Sequence, residues 1–151
     1  MLPKWHLLFG FVFAYILIYF FQFSLLAGTI VFLSSILIDI DHYLRYVYLE
    51  KDLSPIKFWN WSMQRKKRWE KLSKKEKSKY KYTQFFLHGI EFWVIIFLLS
   101  FNHQIFLWML IGIIFHMFFD ISDLIYKKIP SHVKLSQVYN YITNKTKKEF
   151  K

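Results

Sequence analysis

Two long stretches of this chain contain no Lys or Arg, and they restrict its fold more than any other feature. Across residues 7–40 and 84–119 the only charged side chains are Asp39 and Glu91. A helix needs about 20 apolar residues to cross a bilayer, so each stretch suits a tight pair whose members have about 17 residues, the short end of what spans. The polar interruptions Phe21-Gln22-Phe23-Ser24 and Asn102-His103-Gln104 mark the two turns. Hydrophobic residues make up 55% of the 151 and aromatic ones 23%, more apolar surface than a soluble domain of this length could hide. The expectation is one all-α domain, 1–151, an integral membrane bundle of four transmembrane helices at about 5–21, 24–40, 85–101 and 105–120.

The distribution of charge then sets an orientation. All 21 basic residues lie at Lys4, between Arg45 and Lys81, or between Lys127 and Lys151. With four spans these three places share one side, and the positive-inside bias puts that side, with both termini, in the cytoplasm of a cell-membrane protein. A cleaved signal peptide is the competing account of Lys4 and the run after it. That run shows no small-x-small cleavage site and passes almost directly into a second apolar run. The net charge of +11 would suit nucleic acid, but its confinement to one face of a membrane protein points to anionic lipid headgroups instead. There is no cysteine, so a bound metal would have nitrogen and oxygen ligands.

The soluble piece is the basic segment 43–83. Ser54-Pro55 is a helix start, with Ser able to cap and Pro tolerated at the first helical position. Phe58, Trp61, Trp69 and Leu72 then recur at helical spacing among Lys and Arg, the pattern either of a helix lying on anionic membrane or of a solvated basic loop. Ser73 and Glu76 have capping-box spacing, so a further helix is expected to begin there and run into the third span. The basic tail 127–151 repeats the amphipathic pattern weakly at Val133, Val138 and Tyr141.

In that topology the ionisable residues of all four spans gather at the cytoplasmic end. His6 opens the first span, Asp39, Asp41 and His42 close the second, His88 and Glu91 open the third, and His116 and Asp120 close the fourth, with Asp123 beyond. Asp39 and His42, His88 and Glu91, and His116 and Asp120 stand three or four apart, each pair on one helix face. Paired His and carboxylate on facing helices is also how soluble bundles hold metals. An ionisable group within a span costs about 2.5–3.5 kcal/mol by insertion scales, and a bound cation would offset that for Asp39 and Glu91. The candidate ligands are His6, Asp39, His42, His88, Glu91, His116 and Asp120, with Asp41 an outer group or a further ligand. Seven exceed the three protein ligands usual for one catalytic zinc, so two divalent ions fit the number better. Zn, Mn and Fe all suit imidazole with carboxylate. Singly, each His is as well read as an interfacial hydrogen-bonder, and Asp41 and Asp123 as helix-end carboxylates; His103 and His132 lie apart from the cluster.

The order of an N-terminal His, Asp39-Ile40-Asp41-His42, His88, and His116-Met117-Phe118-Phe119-Asp120 resembles the YdjM-like membrane-bound metal-dependent hydrolases. Span three departs from that pattern, with Gly89 and Glu91 following His88. The His-x-x-x-carboxylate spacing is also similar, more weakly, to zinc-dependent phospholipases C. The resemblance implies metal-dependent hydrolysis. At headgroup depth the nearest abundant ester is a phospholipid, so a phosphoester is the expected substrate, with Asp41 or Glu91 as general base. Two non-catalytic accounts compete: a metal-binding sensor or transporter, and a lipid-binding scaffold. Transport sites tend to lie near the midplane, whereas these groups sit at one end. The scaffold leaves the polar rim unexplained.

Overall fold

The computed structural model describes residues 3–81, 83–127, 135–145, 147, 148 and 150, and the regular structure among them is helical, with one isolated backbone bridge. Four apolar helices form the body: α1 (Pro3–Tyr19), α2 (Leu25–Leu37), α6 (Ile90–Ser100) and α7 (Gln104–Tyr126). Between α2 and α6 come α3 (Ile40–Glu50), α4 (Pro55–Lys71), the single turn α5 (Lys74–Lys77) and a 3-10 turn at Phe86–His88; α8 (Gln137–Asn144) lies in the tail. The helix α2 packs against α1 and α7, and α7 also carries α6.

Both expected turns form, each for a local reason. Gln22 takes the left-handed conformation at φ 56°, and Ser24 accepts the Ala27 N–H at 3.2 Å to start α2. At the second turn His103 caps α7 with Nδ1, accepting from the Ile105 N–H. Ile38, Ile96, Leu110, Ile113 and Met117 make the core between α2, α6 and α7. Gly112 permits the close approach of α7 to α2, since a Cβ there would run into the Val31 carbonyl oxygen and the Ser34 hydroxyl.

The helices differ in length from the four equal spans expected. Two are long and apolar enough to cross a membrane, Leu25–Glu50 taken through the bend at Ile38-Asp39, and Gln104–Tyr126; Trp5–Tyr19 and Ile90–Ser100 are shorter. The third is cut back because Gly89 is extended (φ −76°, ψ 145°) and divides the 3-10 turn from α6. Its 11 residues rise only about 16 Å against a hydrocarbon core of about 30 Å. Four transmembrane helices are therefore not established by length and composition.

The basic segment also departs from expectation. Ser54 caps α4 behind Pro55 as its sequence implies. The aromatic face of α4 turns onto protein, however: Phe58 meets Tyr43 and Tyr46, Trp61 meets Tyr46 and donates from Nε1 to Glu50 at 2.8 Å, and Trp69 meets Phe150. That leaves Lys67, Arg68 and Lys71 exposed. The Ser73–Glu76 capping box closes, with Ser73 N–H donating to Glu76 at 2.8 Å and Glu76 N–H to the Ser73 hydroxyl at 3.3 Å. The Ser73 hydroxyl, donating to the Glu76 carboxylate at 2.7 Å, and the Ser73 N–H hold that carboxyl below its ordinary pKa. The helix they start ends at Lys77 and does not reach the third span. Instead the Lys81 N–H donates to the Lys148 carbonyl and the Lys148 N–H to that of Lys79, joining the tail to the segment.

In α8 the polar residues Gln137, Asn140 and Asn144 are buried, while Val138, Tyr139, Tyr141 and Ile142 face outward. His132 and Val133 lie outside the described residues.

Candidate metal centre

The bend at Ile38-Asp39 turns Asp39 toward the ends of the other three helices. The Asp39 N–H donates to Ile36 and the His42 N–H to Asp39, both three residues back, so α2 tightens for a turn before α3 begins. His88 comes from the 3-10 turn, held off the axis of α6 by Gly89. His116 and Asp120 stand one turn apart on the buried face of α7, and His6 reaches them from the first turns of α1.

These side chains converge. His88 Nε2 lies 3.4 Å from Asp39 Oδ1 and 3.7 Å from Asp120 Oδ2. His116 Nε2 lies 3.7 Å and 3.4 Å from the same two oxygens. His42 Nε2 is 3.5 Å from Asp39 Oδ1, and His6 Nε2 is 3.4 Å from Asp120 Oδ1. The His6 ring also stacks on that of His116, centroids 4.1 Å apart. Three overlapping groups able to hold a metal ion result: His6, Asp39 and His116; Asp39, His42 and His88; His88, His116 and Asp120. Donors about 2.0–2.1 Å from a tetrahedral ion are roughly 3.3–3.4 Å from one another, which is close to these separations. They exceed the roughly 2.7–3.2 Å of a good N–H···O hydrogen bond.

The outer contacts say which way the imidazoles face. His116 Nδ1 lies 2.7 Å from the Ser35 carbonyl oxygen, which can only accept, so Nδ1 carries the proton. His88 Nδ1 lies 3.1 Å from Asp41 Oδ2, and an ionised carboxylate likewise only accepts. In the neutral rings both Nε2 atoms then present bare lone pairs to the carboxylates of Asp39 and Asp120. Lone pair against carboxylate is repulsive, and in a buried site a cation between them makes it attractive. The Nε2 of His116 is buried with no hydrogen-bond partner, as that reading requires.

Of the expected ligands, the structure gathers His6, Asp39, His42, His88, His116 and Asp120 and sets Glu91 apart. The Glu91 carboxylate accepts from the Ser136 hydroxyl at 2.9 Å, the Val138 N–H at 3.1 Å and the Gln137 N–H at 3.3 Å. It caps the N-terminus of α8, where the helix dipole and free N–H groups neutralise it without a metal. Asp41 holds His88 and accepts the Leu87 N–H at 3.2 Å, so it stands behind a ligand, as metal-site outer carboxylates do. Neither carboxylate expected as a general base faces the site directly. Asp123 pairs with Lys127, and His103 sits in the opposite turn.

Sequence reasoning missed the Ser35 carbonyl that orients His116. A backbone acceptor leaves no mark in a sequence, since any residue supplies one. It also missed Gln137, whose side chain accepts the Phe85 N–H at 2.8 Å and ties the tail to the approach of the third apolar helix. Comparison with protein-family models, with curated proteins and with solved structures finds no match, so the centre stands on its geometry alone.

Proposed function

We propose that this chain is a multi-pass membrane protein with both termini in the cytoplasm, and that it hydrolyses a phosphoester at the cytoplasmic surface with a divalent metal, of the kind the YdjM-like resemblance implies. A belt of exposed apolar side chains supports the membrane placement, among them Leu7, Phe11, Leu33, Val94, Leu98 and Phe118. Such a surface in water would be an aggregation liability. The outward apolar face of α8 and the segregated Lys and Arg fit the same placement.

One observation carries the hydrolase reading, the uneven burial of the donors. His88, His116 and Asp120 are sealed from solvent, whereas the side chains of Asp39 and His42 are 25% and 34% exposed. A structural metal site is closed by protein ligands, while a catalytic one keeps a position for water or substrate. In this reading His88, His116 and Asp120 would hold the divalent metal, with zinc, manganese and iron all suited to imidazole and carboxylate donors. Asp120 turns its Oδ2 to His88 and His116 and its Oδ1 to His6, so it could serve donors on both sides. A metal held by these residues would supply Lewis acidity, lowering the pKa of a bound water to about 7. Asp41 and the Ser35 carbonyl keep both imidazoles in the tautomer that points Nε2 inward. Asp39, on the exposed edge, is placed to take a proton from an entering water.

Metal analysis of the protein purified in detergent, followed by assay of its metal-loaded form on phospholipids and soluble phosphoesters, tests the proposal. Stoichiometric metal with turnover that disappears in Asp120→Ala is the expected result. Stoichiometric metal with no turnover across the panel would leave a sensor or transporter, and protein without metal would favour the scaffold.

A further inference from the structure

Two recesses involve the candidate centre or its chain neighbours, and their chemistry is opposite. The first, of about 310 Å³, is bordered by His42 and Phe85, and its lining among the described residues includes Arg45, Arg65, Lys66 and Lys81 and no carboxylate. Trp61 and Trp69 form part of its wall, and the Arg65 guanidinium stands over the Trp61 ring at 5.0 Å. The second, of about 290 Å³, runs between α2, α6 and α7 and is apolar but for Ser34; Leu33, Leu37, Ile38, Leu87 and Met109 are among its walls. The first volume reaches the lower end of small-molecule sites, roughly 300–1,000 Å³, and the second falls just short of it.

Their positions relative to the metal-binding groups carry the argument. His42 belongs both to the basic cavity and to the group it forms with Asp39 and His88. The Phe85 ring at the cavity's edge packs on His42, centroids 3.9 Å apart. Ile38 and Leu87 wall the apolar groove and immediately precede Asp39 and His88 in the chain. A ligand occupying both recesses would contact His42 at one end and the neighbours of Asp39 and His88 at the other. It must be anionic at one end and hydrocarbon at the other, and the groove opens among the outward apolar residues Leu33 and Leu37.

We propose that the two recesses form one site for an anionic phospholipid, which enters sideways from the bilayer. One acyl chain lies in the groove, the phosphate sits at the edge formed by Asp39 and His42, and the charged headgroup extends into the basic cavity. Arginine suits that cavity because its planar fork binds phosphate oxygens in pairs, and Lys66 and Lys81 add point charges. The proposal takes its chemistry from the hydrolase reading, but lipid binding alone does not depend on turnover.

The test uses the full chain in detergent, with whatever metal it carries, and titration calorimetry against three probes. These are a short-chain dialkyl ether glycerophosphonate (charge and chains but no ester to cut), the uncharged dialkyl glycerol, and inorganic phosphate. The glycerophosphonate should bind at least about tenfold tighter than either of the others, the factor that one charged hydrogen bond supplies. Arg65→Gln and Leu37→Trp should each weaken it by about tenfold or more, with helicity and metal content unchanged. Leu37→Trp should leave inorganic phosphate binding as it was. Phosphate binding as tight as the glycerophosphonate would overturn the acyl arm and mark a soluble phosphoester site. Insensitivity to Arg65→Gln and to a second variant, Lys81→Gln, would overturn the basic arm. Tight, Arg65-dependent glycerophosphonate binding by protein that holds no metal would uphold the two-armed site and overturn only the hydrolase reading.

Discussion

Replacing Asp41 with Asn removes one negative charge and keeps the shape of the side chain, which makes it a sharp test of how the imidazoles are oriented. Asp41 Oδ2 serves two donors, His88 Nδ1 at 3.1 Å and the Leu87 N–H at 3.2 Å. An Asn oxygen at the same place could still accept from both. Its amide nitrogen would then occupy the Oδ1 position, which is buried and has no hydrogen-bond partner. A buried unsatisfied donor costs about 1–3 kcal/mol. Turning the amide over would instead set N–H against N–H at His88 and free the ring to change tautomer. Either way His88 Nε2 becomes a poorer donor. Outer-shell changes at metal sites cost about 10–100-fold in affinity, or roughly 1.4–2.7 kcal/mol. Competition between the protein and a chromophoric chelator measures this directly. The expected outcome is metal affinity lowered within that range, with helicity retained. Unchanged affinity would refute the orienting role, and complete loss of metal would make Asp41 a direct ligand.

The remaining predictions concern the frame around the centre. Glu91→Gln should leave metal binding intact and loosen α8, since a charge-assisted cap is worth about 1–2 kcal/mol; amide exchange across Gln137–Asn144 should rise by about tenfold, and loss of metal in this variant would return Glu91 to the ligand set. Gly112→Val should lower thermal stability and metal affinity together, because the added side chain meets the Val31 carbonyl and forces α7 away from α2; unaltered metal affinity would show that the centre does not depend on that contact. Reporters inserted near Lys75 and fused after Lys151 should be cytoplasmic and one at Asn102 external, and opposite locations for the first two would break the four-span proposal.

How much of this was legible in the sequence depended on whether the deciding interaction was local. The two tight turns, the Ser54 cap and the Ser73–Glu76 capping box were readable because each is settled within four residues. Gathering the His and Asp residues at one end followed from counting spans and tracking charge, which needs no contacts. The role of Glu91 was not readable. His88 and Glu91 are three apart, within the three-or-four spacing of the His–carboxylate pairs on the other helices, but Gly89 breaks the helix between them. Their side chains then serve different neighbours, one the centre and the other a helix N-terminus more than forty positions away. The aromatic stripe on α4 was ambiguous for a similar reason. Periodicity identifies an apolar face but does not say whether lipid or the rings of Tyr43, Tyr46 and Phe150 will cover it.

The contrast between Asp120 and Glu91 shows what separates a ligand from a cap in such a bundle. Both carboxylates lie near the same end of the apolar helices, and both need a positive partner to be tolerated there. Glu91 receives three N–H or O–H donors from Ser136, Gln137 and Val138, so its charge is met by hydrogen atoms already in place. Asp120 is more deeply buried, and imidazole nitrogens face it among the described residues, in His88 and His116 fixed by outer contacts in the form that offers a lone pair. Hydrogen-bond donors facing a carboxylate make a structural anchor, whereas lone pairs facing it make a place for a cation. Asp39 meets the same criterion on its Oδ1 edge, toward which His42, His88 and His116 turn Nε2, so a cation held by His88, His116 and Asp120 would lie beside it. The criterion comes from proton positions and not from residue type, which is why His-carboxylate spacing alone put Glu91 in the ligand set and the hydrogen-bond pattern takes it out.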